Sequence, residues 1–263
     1  MLLRRITKHV KDQNWFAVGI DFCIVVIGVF IGIQVANWND VRQQRASLTL
    51  AEADINSDLL DTYFNAKERT SLRNCRISRI QTLSTLLLET EGLWDGTKHI
   101  MGSRSDDLAI DRVLRSPDRN WGSRIWEAEL TRGTFDPMDS TRRQNIDGIF
   151  QQSESAELLQ EDILSLEARL KILSQRTEIS TSDRLRYFEV LSEIDQKSFS
   201  LELISGQISD SIEDLNIPVS EDYIAGVVER FPAYIENRQE FYGDSANIPE
   251  FYFLRADDQE TSP

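Results

Sequence analysis

The chain has 263 residues and a formal charge of −15, from 29 basic and 44 acidic side chains, with only 6 prolines and 12 glycines. That length supports one sizeable domain, and the acidic excess repels phosphate backbones and anionic lipid surfaces, so nucleic acid is excluded as an expected partner while a basic protein partner is allowed. The two cysteines, Cys23 and Cys75, sit in unlike surroundings, one in an apolar run and one in a polar segment. No disulfide within one chain is expected, and the redox compartment stays open.

In residues 1–14, Leu2, Leu3, Ile6 and Val10 fall near one helical face, with Arg4, Arg5, Lys8 and Lys11 largely elsewhere. This reads as a short interfacial helix that anchors and orients the chain. Residues 16–36 are then almost wholly apolar and are bracketed by Trp15 and Trp38. A hydrocarbon core of about 30 Å needs roughly 20 helical residues, and indole rings prefer the headgroup level, so residues 15–38 read as a transmembrane helix. The basic residues before it, against Asp40, Arg42 and Arg45 after it, keep the amino end cytoplasmic. The run exceeds a secretory signal core of about 7 to 15 residues, and Gln34, Val35 and Ala36 lead into Asn37 and Trp38, so an uncleaved signal anchor is expected.

At 100° per residue, Asp21, Val25, Gly28, Gly32 and Ala36 lie in one strip of this helix, with Gly28 about 20° from Asp21. Gly28 and Gly32 form a GxxxG, extended by Ala36, which lets a second backbone approach closely. A carboxyl group within hydrocarbon is costly unless neutralised or paired. Two readings of Asp21 follow: it lies in a helix–helix interface, or, less than two helical turns past Trp15, it reaches the inner headgroups and water. Gln34, near the outer edge, either hydrogen-bonds across helices or reaches outward.

The segment Gly19-Ile-Asp21, Ile24-Val-Val-Ile-Gly28, Ile31-Gly32-Ile33-Gln34 and Ala36-Asn37-Trp38-Asn39-Asp40 resembles the start of a broad family of uncharacterised single-span bacterial membrane proteins. A looser echo of that family's middle segment runs from Trp126-Glu127 through Leu130 to Gly133. The resemblance implies a membrane location and a helical extramembrane part, and it supplies no activity.

Residues 39–91 contain no proline or glycine, while Ile55, Leu59, Thr62, Ala66, Ile77, Ile80, Leu83 and Leu87 recur at intervals of three or four where they cluster. One long helix or two is expected, continuing the span as a stalk. Residues 92–106 form a glycine-containing connection, a short helix over 107–115 stops before Pro117, and 118–122 make a turn. Ser123 caps a helix bearing Ile125, Trp126 and Leu130, with Gly133 as a left-handed stop. Trp121 and Trp126 read as core residues, with a ligand-binding aromatic pair as the alternative.

Asp139 caps a further helix expected to reach residue 179, in which Leu159, Ile163, Leu166, Leu170 and Leu173 step four, three, four, three. That seam is too short for a freestanding coiled coil and is expected to pack on the first helix. Ser182 or Asp183 starts the next helix, which ends before Pro218, and Ser220 opens a last short one stopped by Pro232, with another over 234–242. Phe251, Tyr252, Phe253 and Leu254 form an aromatic strap, and residues 255–263 are expected to be disordered. No run of period two competes with these helices.

Little chemistry is written into this pattern. The single extramembrane histidine, His99, lies in the glycine-containing connection; Asp106, Asp107 or Asp111 near it lack any HExxH or CxxC spacing. The acidic sets Asp54, Asp58, Asp61 and Asp210, Glu213, Asp214 lie at helical spacing and read as solvated faces, with calcium as the alternative. There is no P-loop, dinucleotide fingerprint or calcium-loop motif, so no catalytic residue, metal site or cofactor is expected.

The expectation is therefore an all-α protein: a cytoplasmic basic segment (1–14), a transmembrane helix (15–38), a mainly antiparallel helical bundle outside the cytoplasm (39–254), and a tail (255–263). Its expected location is the bacterial cytoplasmic membrane, with the bundle periplasmic. Its expected role is a noncatalytic interaction or accessory protein whose partners are membrane lipid and, through the span, another membrane protein or itself. The alternatives are a ligand sensor coupled through the span to a partner and, third, an enzyme working with carboxylates alone.

Overall fold

The computed structural model describes residues 15–90, 92–96, 118–242 and 249–254. The basic segment with Arg4, Arg5, Lys8 and Lys11, the His99 connection, the helix expected over 107–115 and the tail over 255–263 lie outside the described residues.

The protein is all-α. Helix α1, Trp15–Ser71, runs without interruption for 57 residues, or about 85 Å, out of the apolar segment and into the bundle. Every described side chain from residue 19 to 47 is exposed, and burial begins in earnest at Ala51, about 20 Å along the helix from Trp38. From there Ile55, Leu59, Tyr63 and Ala66 form a buried stripe at helical spacing. The helix ends where Ser71 Oγ and Thr70 Oγ1 turn back on the carbonyls of Glu68, Ala66 and Lys67, a pattern that competes with the ladder and bends helices. After Leu72, α2 (Arg73–Glu89) continues with Leu83 and Leu87 buried. Arg76 holds this joint through Glu202, with Nε to Oε1 at 2.7 Å, and through Asp195.

A strand pair then departs from expectation. β1 (Leu93–Asp95) pairs antiparallel with β2 (Arg176–Glu178), although neither shows period-two patterning. Trp94 secures it, its Nε1 donating to the Leu173 carbonyl at 2.7 Å. Helix α3 (Arg124–Thr131) has Ser123 as its cap, and Gly133, with φ +74°, takes the left-handed position just beyond it. Trp121 and Trp126 are core residues, and Trp126 stacks on Phe135 at 4.8 Å.

Helix α4 (Ser140–Arg169) is capped by Asp139, but it ends about ten residues before residue 179. Leu170 and Leu173 keep the apolar spacing into a 3-10 turn, Lys171–Ser174, which leads to β2. The seam also packs chiefly on the next helix, α5 (Thr181–Asp214), and not on α1. α5 starts at a capping box in which Ser180 accepts from the Asp183 N–H and the Asp183 carboxylate accepts from the Ser180 N–H. The start is therefore set by Ser180 and not by Ser182 or Asp183. Leu191, Ile194, Ser198, Leu201, Ser205, Ile208 and Ile212 form its buried stripe, so α5 is the central element between α4 and α1.

Asn216, at φ 46°, ends this segment ahead of Pro218. Helix α6 (Glu221–Tyr242) runs through Pro232 as one element where a stop was expected. Pro232 has no N–H to pair with the Val228 carbonyl, and both residues lie on the exposed side of the helix. The strap docks as the 3-10 turn Tyr252–Leu254, preceded by Phe251. Phe251 stacks with Phe64 at 4.2 Å, and the Tyr252 N–H donates to Tyr63 Oη, which itself donates to Glu213 Oε1 at 2.8 Å.

Candidate functional site

The sequence-predicted span face is a continuous surface on α1. Because the helix is unbroken, Asp21, Val25, Gly28, Gly32 and Ala36 keep their phase on one side of it. A Cβ placed on Gly28 or Gly32 meets no atom within 4 Å, so nothing in the described chain covers the strip. Among the described residues, one helix, near the amino end, is long and apolar enough to span a membrane, with a mean hydropathy of 2.3 over its most apolar window. Trp15 opens that helix, and Trp38 is exposed, with the Arg42 guanidinium 5.9 Å from its ring centroid.

A second site emerges only in three dimensions. It is a groove of about 620 Å³ between α1, the segment 118–122 and α6. The 3.6-residue period brings Asp58, Asp61, Thr62, Asn65 and Glu68 of α1 onto its floor, and α6 contributes Tyr223, Val227 and Arg230 at successive turns, with Tyr234 beyond.

Gln160 of α4, 2% exposed, builds the third wall. Its Oε1 accepts from the Arg119 N–H at 3.0 Å and from Trp121 Nε1 at 3.1 Å, while its Nε2 donates to the Arg119 carbonyl and to Asp118 Oδ1. One buried amide thus fixes a stretch of chain with no secondary structure of its own. Arg119 in turn forks onto Glu68, with Nε to Oε2 at 2.5 Å and Nη2 to Oε1 at 3.0 Å. Asn65 donates to the Asn120 carbonyl, and Ser123 Oγ donates to Asp58 Oδ2 at 2.5 Å while capping α3.

The electrostatics of the groove follow from this pairing. Glu68 and Arg119 neutralise each other, whereas Asp61 has no hydrogen-bond or ion-pair partner among the described residues. Asp61 is exposed to solvent, and partial desolvation, reinforced by the Asp58 carboxylate, still raises its pKa above the usual range. Desolvation, with Asp61 adding to it, pushes the Tyr223 phenol up to about 12.

Among the described residues, no set of three or more histidine, cysteine or acidic side chains is arranged to hold a metal ion. The set Asp210, Glu213, Asp214 is split, because Glu213 accepts from Tyr63 and pairs with Lys67 at 2.7 Å. Cys75 is buried and Cys23 exposed, and no disulfide joins them. Sequence reasoning marked Asp58 and Asp61 as one helical face but missed the groove. Its other wall depends on Gln160 and Arg119, which carry no local signal. No family model matches the chain, and neither curated proteins nor solved structures provide a match.

Proposed function

We propose that the chain is a noncatalytic, membrane-anchored interaction protein that associates through the Asp21, Val25, Gly28, Gly32 and Ala36 face of α1, with itself or with another membrane protein. The carrying observation is that α1 is a single 57-residue helix whose apolar part is exposed on all described sides and bears an open glycine pair beside a carboxylate. Lipid tails give helices no hydrophobic reason to associate, so small residues and a polar group that needs a partner supply the drive. The basic segment before the span, and the resemblance to single-span bacterial proteins, support a bacterial cytoplasmic membrane location with residues 39–254 on the periplasmic side. Crosslinking in native membranes tests this: Gly32→Leu and Asp21→Leu should each remove the crosslinked species, and unchanged species in both would refute it.

A second reading is a ligand sensor. It is favoured by the groove, whose floor is the same helix that continues into the apolar segment. A ligand bound between α1 and α6 would bias the position of a rod extending to the membrane, and a partner would receive that displacement. Ligand-dependent stabilisation of the full chain, with a change in its crosslinking pattern, distinguishes a sensor from a passive scaffold.

A further inference from the structure

We propose that the groove between α1 and α6 binds a small organic cation bearing N–H donors, a primary ammonium on an alkyl chain, seated over Asp61 and Thr62 and against the aromatic corner of Phe64 and Tyr234. This gives the second reading above its ligand class and is independent of association through the span.

Four observations converge on that chemistry. First, the charges do not cancel: Glu68 and Arg119 are mutually paired, and Asp118 is tied to Gln160, which leaves Asp58 with only the Ser123 hydroxyl and Asp61 with no partner among the described residues. Among the described residues lining the groove, the remaining cation is Arg230, which is exposed and folds back along its own helix, Nε donating to the Gly226 carbonyl at 2.9 Å, so it does not neutralise them. Second, Thr62 is 3% exposed, lines the groove and makes no hydrogen bond among the described residues. The Thr62 hydroxyl is open to the groove rather than sealed in the core, and its lone pairs can accept from an ammonium. Third, Phe64 and Tyr234 stand at 82° with ring centroids 6.3 Å apart, forming a corner whose π-faces favour a cation and whose rings cover an alkyl chain. Fourth, a volume of about 620 Å³ falls in the range of roughly 300–1,000 Å³ that holds small ligands.

The two carboxylates also repel each other, so a bound cation relieves a cost already built into the fold. Because Asp61 is held partly toward its protonated form, cation binding at mildly acidic pH should release protons. A bare metal ion is a poor occupant, since among the described residues no third acidic or imidazole ligand joins these two.

The test is calorimetric titration of the full chain in an uncharged maltoside detergent with cadaverine, and separately with choline and with magnesium chloride at matched ionic strength. The account expects saturable binding of cadaverine, weakened at least about tenfold by Asp61→Asn and several-fold by Thr62→Val, with thermal melts confirming that both variants fold. It also expects choline, which lacks N–H donors, to bind much more weakly. Absence of saturable cadaverine binding, equal binding by Asp61→Asn, choline binding as tightly, or magnesium reproducing the effect would each overturn the assignment. Crosslinking of Gly32→Leu and Asp21→Leu in native membranes is read separately from this titration, so failure of the groove assignment and failure of the span association are separately visible.

Discussion

Replacing Phe251 with alanine probes the contact that closes the bundle. Phe251 is 1% exposed and stacks on Phe64 at 4.2 Å and on Phe253 at 5.6 Å, with Tyr63 at 6.1 Å. A buried phenylalanine removes on the order of 150–200 Å² from water, so at ~25 cal/mol per Å² its burial contributes about 4 kcal/mol. Alanine keeps about a third of that, while lost aromatic pairing and the residual cavity add about 1 kcal/mol or more, giving an expected loss of ~3–5 kcal/mol. Urea unfolding of the full chain in detergent, followed by tryptophan emission, reads this directly because Trp94, Trp121 and Trp126 are all buried. The control is Phe199→Ala, at an exposed phenylalanine, expected to cost less than about 0.5 kcal/mol. A loss below about 1 kcal/mol for Phe251→Ala, with an unchanged denaturant slope, would mean that the strap does not hold α6 and α1 together.

Removal of the capping box by Ser180→Ala should lower stability by about 1 kcal/mol, measured by the same unfolding assay, because it orphans the Asp183 N–H. Gly96→Ala should cost about 1–3 kcal/mol, since its Cβ would lie 1.9 Å from the Leu173 carbonyl oxygen, against backbone that must move. The expected readout is a lower melting temperature with altered Trp94 emission. Asp61→Asn should raise the melting temperature at pH 7. The folded-state pKa of Asp61 lies above its unfolded value, so the ionised residue opposes folding at neutral pH. That penalty fades as pH falls through the folded pKa, and the difference between variant and wild type should vanish at about pH 3, where both forms are neutral.

Much of the architecture was legible because its signals are local. The stripe of Ile55, Leu59 and Ala66, the caps at Ser123, Asp139 and Ser220, and the left-handed Gly133 each work within a few residues. The misreadings share the opposite property. Leu170 and Leu173 keep helical spacing through a 3-10 turn, so periodicity alone could not end α4 at Arg169. β1 and β2 are three residues each and exist because Trp94 reaches Leu173 from far along the chain. Pro232 stays within α6 on the helix's exposed side, a fact of packing that composition does not carry. The groove was half legible: Asp58 and Asp61 share a face by spacing, while the wall opposite them hangs on a single buried amide, Gln160, whose partners lie some forty residues upstream.

The central claim, association through the exposed face of α1, is tested most directly by solubilising the native protein in mild detergent and measuring the mass and composition of what purifies with it. The account predicts a defined complex, with itself or with a second membrane protein, that Gly32→Leu dissolves to the lone chain. A wild-type protein that purifies alone as a monomer of 30.3 kDa plus detergent, or a complex that Gly32→Leu leaves intact, would contradict it.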